Sequence, residues 1–146
     1  MEPSLIVAAY GPVHIVAYER DPDIESIDKA ATFQRGLHGE QGRSLCLLTV
    51  VKAGLSMPAL PVREHSAKLM RANAAWTECA AIVAPRAGLW TSAAMSFVAG
   101  LNVLSRASIP LRLFTDQLKA ARWTLEKGGL ESSWAPDLAA RIADLA

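Results

Sequence analysis

Ser44-Leu45-Cys46-Leu47-Leu48-Thr49-Val50-Val51 is the stretch whose reading decides the fold. Every residue after Ser44 is apolar or β-favouring, and Thr49, Val50 and Val51 are adjacent β-branched residues. The apolar residues follow one another without period-two alternation, the pattern of a strand covered on both faces. A buried helical segment competes with that reading, but the run is short, and Gly42 and Gly54 bracket it. The run is read as the central strand of a sheet, fully buried and parallel to a second apolar run at Cys79–Ala84.

Working outward toward the amino end, Leu5–Tyr10 and His14–Tyr18 are two apolar runs separated by Gly11 and Pro12, which suits an antiparallel hairpin. Asp21-Pro22-Asp23 stops the second strand and starts a helix, with an aspartate as cap and Pro22 in the first turn. Ile24, Ile27, Ala31, Phe33 and Leu37 form its stripe, and Gly39 is expected to close it. On the carboxyl side, Lys52–Pro61 reads as a long loop and Val62–Trp76 as a second helix. Cys79–Ala84 is a strand ended by Pro85, and a third helix is expected over Leu89–Arg106. Ile109–Phe114 is a strand whose Pro110 places it at a sheet edge or a strand start. Thr115 and Asp116 cap a helix over Gln117–Lys127, which Gly128-Gly129 ends. A short helix from about Pro136, bearing Leu138, Ile142 and Leu145, follows a joint at Glu131–Ala135 read as flexible.

The fold class is therefore α/β: a single, mostly parallel sheet of about five strands that begins with an antiparallel hairpin. Four helices flank it and a short C-terminal helix is added. Residues 1–128 form the domain, and residues 129–146 a linker and terminal helix. At 146 residues, 51% hydrophobic and 20% charged, the chain is long and apolar enough for one packed core. Its net charge of +1 gives no field to draw nucleic acid or an anionic membrane surface. No run approaches the ~18 apolar residues of a membrane span. Met1-Glu2-Pro3-Ser4 has no basic leader, so a reduced, cytoplasmic setting without disulfides is expected.

No reaction is spelled out. His14, His38 and His65 share no metal-ligand spacing, and Cys46 and Cys79 form no CxxC pair, so no metal and no cofactor is expected. Cys46, inside an apolar run, is read as structural. The acidic pairs Asp21/Asp23 and Glu25/Asp28 fall at a helix start, where capping and the helix dipole account for them. Two stretches stand out. The loop Ala53–Pro61 carries Leu55, Met57 and Leu60, which either tuck under the next helix or form an exposed binding lip. Beyond it Arg63, His65, Lys68 and Arg71 give that helix a basic side, read as solvated. Leu89–Leu104 carries no charge at all, and its outer side presents Ser92, Ser96, Ala99 and Asn102. That face is read as a self-association surface of a homodimer, with the terminal helix as the rival cover.

The order of the elements, with the opening hairpin, the Asp23–Leu37 helix, the Ser44–Val51 strand and its loop, and the later strands, resembles the STAS family and the anti-anti-sigma-factor-like (SpoIIAA-like) domains over residues 4 to 127. The resemblance implies a non-catalytic regulatory or protein-interaction module in signalling, acting through the loop after the central strand and the helix that follows. Leu55, Ser56, Met57 and Arg63 are then the partner-binding or phospho-switch residues, although Leu55 stands where phosphorylated members usually carry an aspartate. The partner implied is a protein. The alternative is a binder of a small apolar ligand, as in SEC14-like relatives, which needs an apolar cavity of about 300 Å3 or more.

Overall fold

The computed structural model describes residues 5–52, 54, 55, 58–84, 100 and 109–146. Strands β1 (Leu5–Tyr10) and β2 (Val13–Tyr18) pair antiparallel, with Gly11 at φ 55° in the turn between them. Next come helix α1 (Ile24–Gln41), strand β3 (Leu45–Val51), helix α2 (Leu60–Ala72) and strand β4 (Thr77–Val83). Strand β5 (Leu111–Phe114) and helices α3 (Gln117–Lys127) and α4 (Ala135–Leu145) complete the described elements. The helix expected over Leu89–Arg106 lies, apart from Gly100, outside the described residues. The sheet order is β1-β2-β3-β4-β5, and β2 to β5 are parallel. The α/β class, the opening hairpin and the middle position of β3 are as the sequence predicts.

Stepping always in one direction through β2, β3 and β4 has a consequence. Right-handed crossovers then place α1 and α2 on the same face of the sheet. The other face belongs to α3 and α4. There Val13, Ile15 and Ala17 of β2, Cys46, Leu48 and Val50 of β3, and Cys79, Ala81 and Val83 of β4 meet Ala120, Ala121, Leu125, Leu138 and Ile142. The terminal helix is thus part of the main core, since Leu138 and Ile142 are fully buried in it. Its apolar side is already engaged against α3. The Glu131–Ala135 joint holds a 3-10 turn whose Trp134 meets Tyr10 edge-on, at 6.0 Å between ring centres. Tyr10 also donates to Asp137 at 2.8 Å, so α4 is tied to the opening hairpin.

β3 differs from its expected full burial. Cys46, Leu48 and Val50 are buried under α3, but Leu47, Thr49 and Val51 on the α1–α2 face are only half-buried. The strand alternates in exposure although its sequence does not alternate in polarity, because the two faces have different covers. The ends of the elements also move. Gly39 lies inside α1, and Gly42, at φ 65°, closes that helix by donating to the His38 carbonyl at 2.9 Å. Only glycine takes that left-handed conformation at little cost. α2 ends at Ala72 and passes into a 3-10 turn, Ala74–Trp76.

Candidate functional site

Two regions concentrate unusual side chains: a cleft on the α1–α2 face, and the carboxyl end of the parallel strands. β2 points His14, Val16 and Tyr18 away from the α3–α4 core, and β3 does the same with Leu47 and Thr49. α1 brings Ile27, Ala30, Ala31 and Gln34 to this face, and α2 brings Ser66, Leu69 and Met70. Together with Asn73, Thr77 and Ile109 these residues line a cleft of about 110 Å3. Among the described residues no charged side chain lines it.

His14 is 3% exposed and stacks on Phe33 of α1 at 5.3 Å. Its Nε2 has no hydrogen-bond partner among the described residues. Burial alone lowers the His14 imidazole to about 4, because charging it here would strip the ion of water. Gln34, 7% exposed, likewise leaves its Nε2 without a partner. Tyr18 is pushed up to about 12, first by burial and then by the Asp23 carboxylate. The other two histidines act structurally. His38 lies flat on Trp76 at 4.5 Å and its Nδ1–H donates to the Arg43 carbonyl at 2.9 Å.

The carboxyl end is built from the first turns of α1 and α2 and the last residues of β2 and β3. Lys52 donates to Glu19 at 2.7 Å, which joins the ends of the two strands. His65 of α2 meets Asp28 of α1 at 2.6 Å in an exposed contact between the two helices. Arg63 is half-buried, and its Nε has no partner among the described residues; nor has Oε1 of Glu19. α1 is capped by Asp23, which accepts from the Ser26 amide at 2.7 Å, and α3 by Asp116, which accepts from Lys119 at 2.8 Å. α2 has Ala59 at its cap position and no side-chain cap, with no acid in its first turn. Leu60, its first residue, is 50% exposed, and Ile24, the first of α1, is 45% exposed. Leu55 is half-buried. Ser56 and Met57 of the expected switch loop lie outside the described residues, as do Ser92, Ser96, Ala99 and Asn102 of the expected self-contact.

No family model, curated protein or solved structure matches the chain. Among the described residues no group of three or more His, Cys, Asp or Glu is arranged to hold a metal ion, and no helix is long and apolar enough to cross a membrane. Cys46 and Cys79 are register partners on neighbouring strands, both buried and reduced, with their Sγ atoms 3.8 and 3.9 Å from the Thr124 carbonyl. A hydrogen bond shared with Cys46, and then burial, push the Cys79 thiol far above its ordinary range. That thiol stays protonated and unreactive. The two cysteines come together without any spacing signal, because parallel register, not sequence distance, makes them neighbours. Gln34 had a signal that escaped the motif reading: it is a polar residue in the stripe Ile27, Ala31, Gln34, Leu37 that α1 turns to the sheet.

Proposed function

We propose that this chain is a non-catalytic regulatory module that docks a protein partner at the carboxyl end of its sheet. The carrying observation is the amino end of α2: an exposed Leu60 at a helix start whose cap residue, Ala59, has no hydrogen-bonding side chain. An apolar anchor next to the positive end of a helix suits a partner segment with an apolar side chain and an acceptor, either a carboxylate or a carbonyl. Ile24 extends the apolar surface, since both residues lie about one turn before the His65–Asp28 bridge that holds the helices together. Arg63 and Glu19, each with one unpartnered hydrogen-bonding atom, border the same end. The Lys52–Glu19 and His65–Asp28 pairs fix the frame, so the surface is presented without rearrangement. The position matches the loop-and-helix region through which STAS-like modules are expected to act.

The test is quantitative affinity enrichment with the parent, Leu60→Asp, and Ile6→Asp on the edge strand β1 as a control of equal chemistry. Both sites are exposed, so neither change should unfold the protein. Leu60→Asp should reduce recovery of the partner by about tenfold or more, while Ile6→Asp leaves it unchanged. Equal recovery by all three removes the docking face.

A further inference from the structure

We propose that the cleft between the sheet and α1–α2 binds a small neutral molecule carrying an oxygen acceptor on a short apolar body, the chemistry of a short-chain amide or alcohol. This site is separate from the docking end and does not depend on it. The Nε2 of Gln34 is obligatorily a donor, and it is buried without a partner. An occupant toward which the Gln34 side chain turns must therefore bring an acceptor. His14 Nε2, equally buried and unpartnered, is the second polar point, and on a neutral ring it either accepts from a hydroxyl or amide hydrogen or donates to an oxygen. Two residues that line one cleft, one from β2 and one from α1, each carry an orphaned buried nitrogen within a side-chain rotation of it, an uncommon cost for a fold to carry.

The rest of the lining sets the ligand's charge and size. With no Asp, Glu, Lys or Arg among the described residues of the wall, an ion would lose its hydration and gain no counter-charge from them. His14 gives none either, since burial keeps its ring neutral down to about 4. Val16, Ile27, Ala30, Ala31, Leu47 and Leu69 supply apolar wall for a hydrocarbon body. A dry cavity of roughly 150 Å3 accepts benzene, so one of about 110 Å3 suits roughly four to six non-hydrogen atoms. That is too small for a lipid chain. Entry is from the α2 side, where Ser66, Leu69 and Met70 are only half-buried and Met70 can swing.

The probe is isobutyramide, titrated into the isotope-labelled protein and followed by NMR, with isobutyrate as the charged control of the same shape. Isobutyramide should shift the Gln34 side-chain amide and the His14 ring signals saturably, with a millimolar Kd. Isobutyrate should not. Gln34→Met keeps the side-chain length and removes the donor, and it should weaken binding about tenfold or more. His14→Phe serves the same purpose if the first variant does not fold. Absence of saturation overturns the site, as does unchanged affinity in the folded variant or equal binding of isobutyrate. Cross-peaks from long-lived water to both side chains, undisturbed by isobutyramide, show ordered water only and also overturn it.

Discussion

His14 places a titratable ring in a wall that holds no charge, and the pH dependence of stability follows from that. The unfolded chain takes up a proton near the ordinary value of 6.5, whereas the folded chain resists it until about 4. Across that window the unfolded state binds more protons, so stability is fully present above pH 6.5 and is lost progressively as pH falls toward 4. The loss attributable to this one ring is on the order of 3 kcal/mol. Urea titrations at about pH 7.5 and about pH 4.5 should show it in the parent. They should show most of it missing in His14→Phe. Asp23, held low first by the Ser26 amide and then by its hydroxyl, acts with the same sign but lower, below its ordinary 3.8. A parent and a His14→Phe variant with the same pH slope would mean that the ring is solvated.

At the scale of elements, the join between α3 and the sheet is tighter than the sequence reveals. Gly128 ends α3 at φ −81°, a conformation open to any residue, so backbone freedom is not why it is glycine. A Cβ there would run into Cys46 Sγ on β3. Gly128→Ala should cost about 1–3 kcal/mol through overpacking. Removing the sulfur should recover part of that: the Gly128→Ala/Cys46→Ala double variant should be more stable than the sum of the single effects, by about 0.5 kcal/mol or more in a double-mutant cycle. Additive single effects would show that the helix end simply shifts away. Such contacts explain what was legible in the chain and what was not. α3 was readable to the residue because Asp116 and the glycines mark both ends locally. The end of α1 was misplaced because Gly39 and Gly42 look alike in sequence, and only the folded path makes one of them left-handed. The half-exposure of Leu47 and Thr49 was not readable either, since an uninterrupted apolar run does not say how each face is covered.

The whole molecule is a sheet with two unlike faces and, at its carboxyl end, the proposed docking surface. The α3–α4 face is closed by fully buried Leu125, Leu138 and Ile142, which makes the last helix essential. Leu138→Ala should cost about 2–5 kcal/mol, measured by thermal or urea unfolding, whereas Leu60→Asp should change stability by less than about 0.5 kcal/mol. A small effect at Leu138 would mean that α4 is an appendage, as its short sequence suggested. The opposite face carries the half-buried cleft, and its helices begin at the end where Leu60 and Ile24 are exposed. Neither role is spelled by a motif. His14, Gln34 and Leu60 are distant in sequence, and each is ordinary alone. Hydrogen exchange of the module, free and with the partner recovered by enrichment, tests the docking face most directly. Protection should rise in the peptides covering residues 19–26 and 58–65 and stay unchanged in β1, α3 and α4. Protection centred on α3 and α4, with the amino ends of α1 and α2 unaltered, would contradict the proposed function.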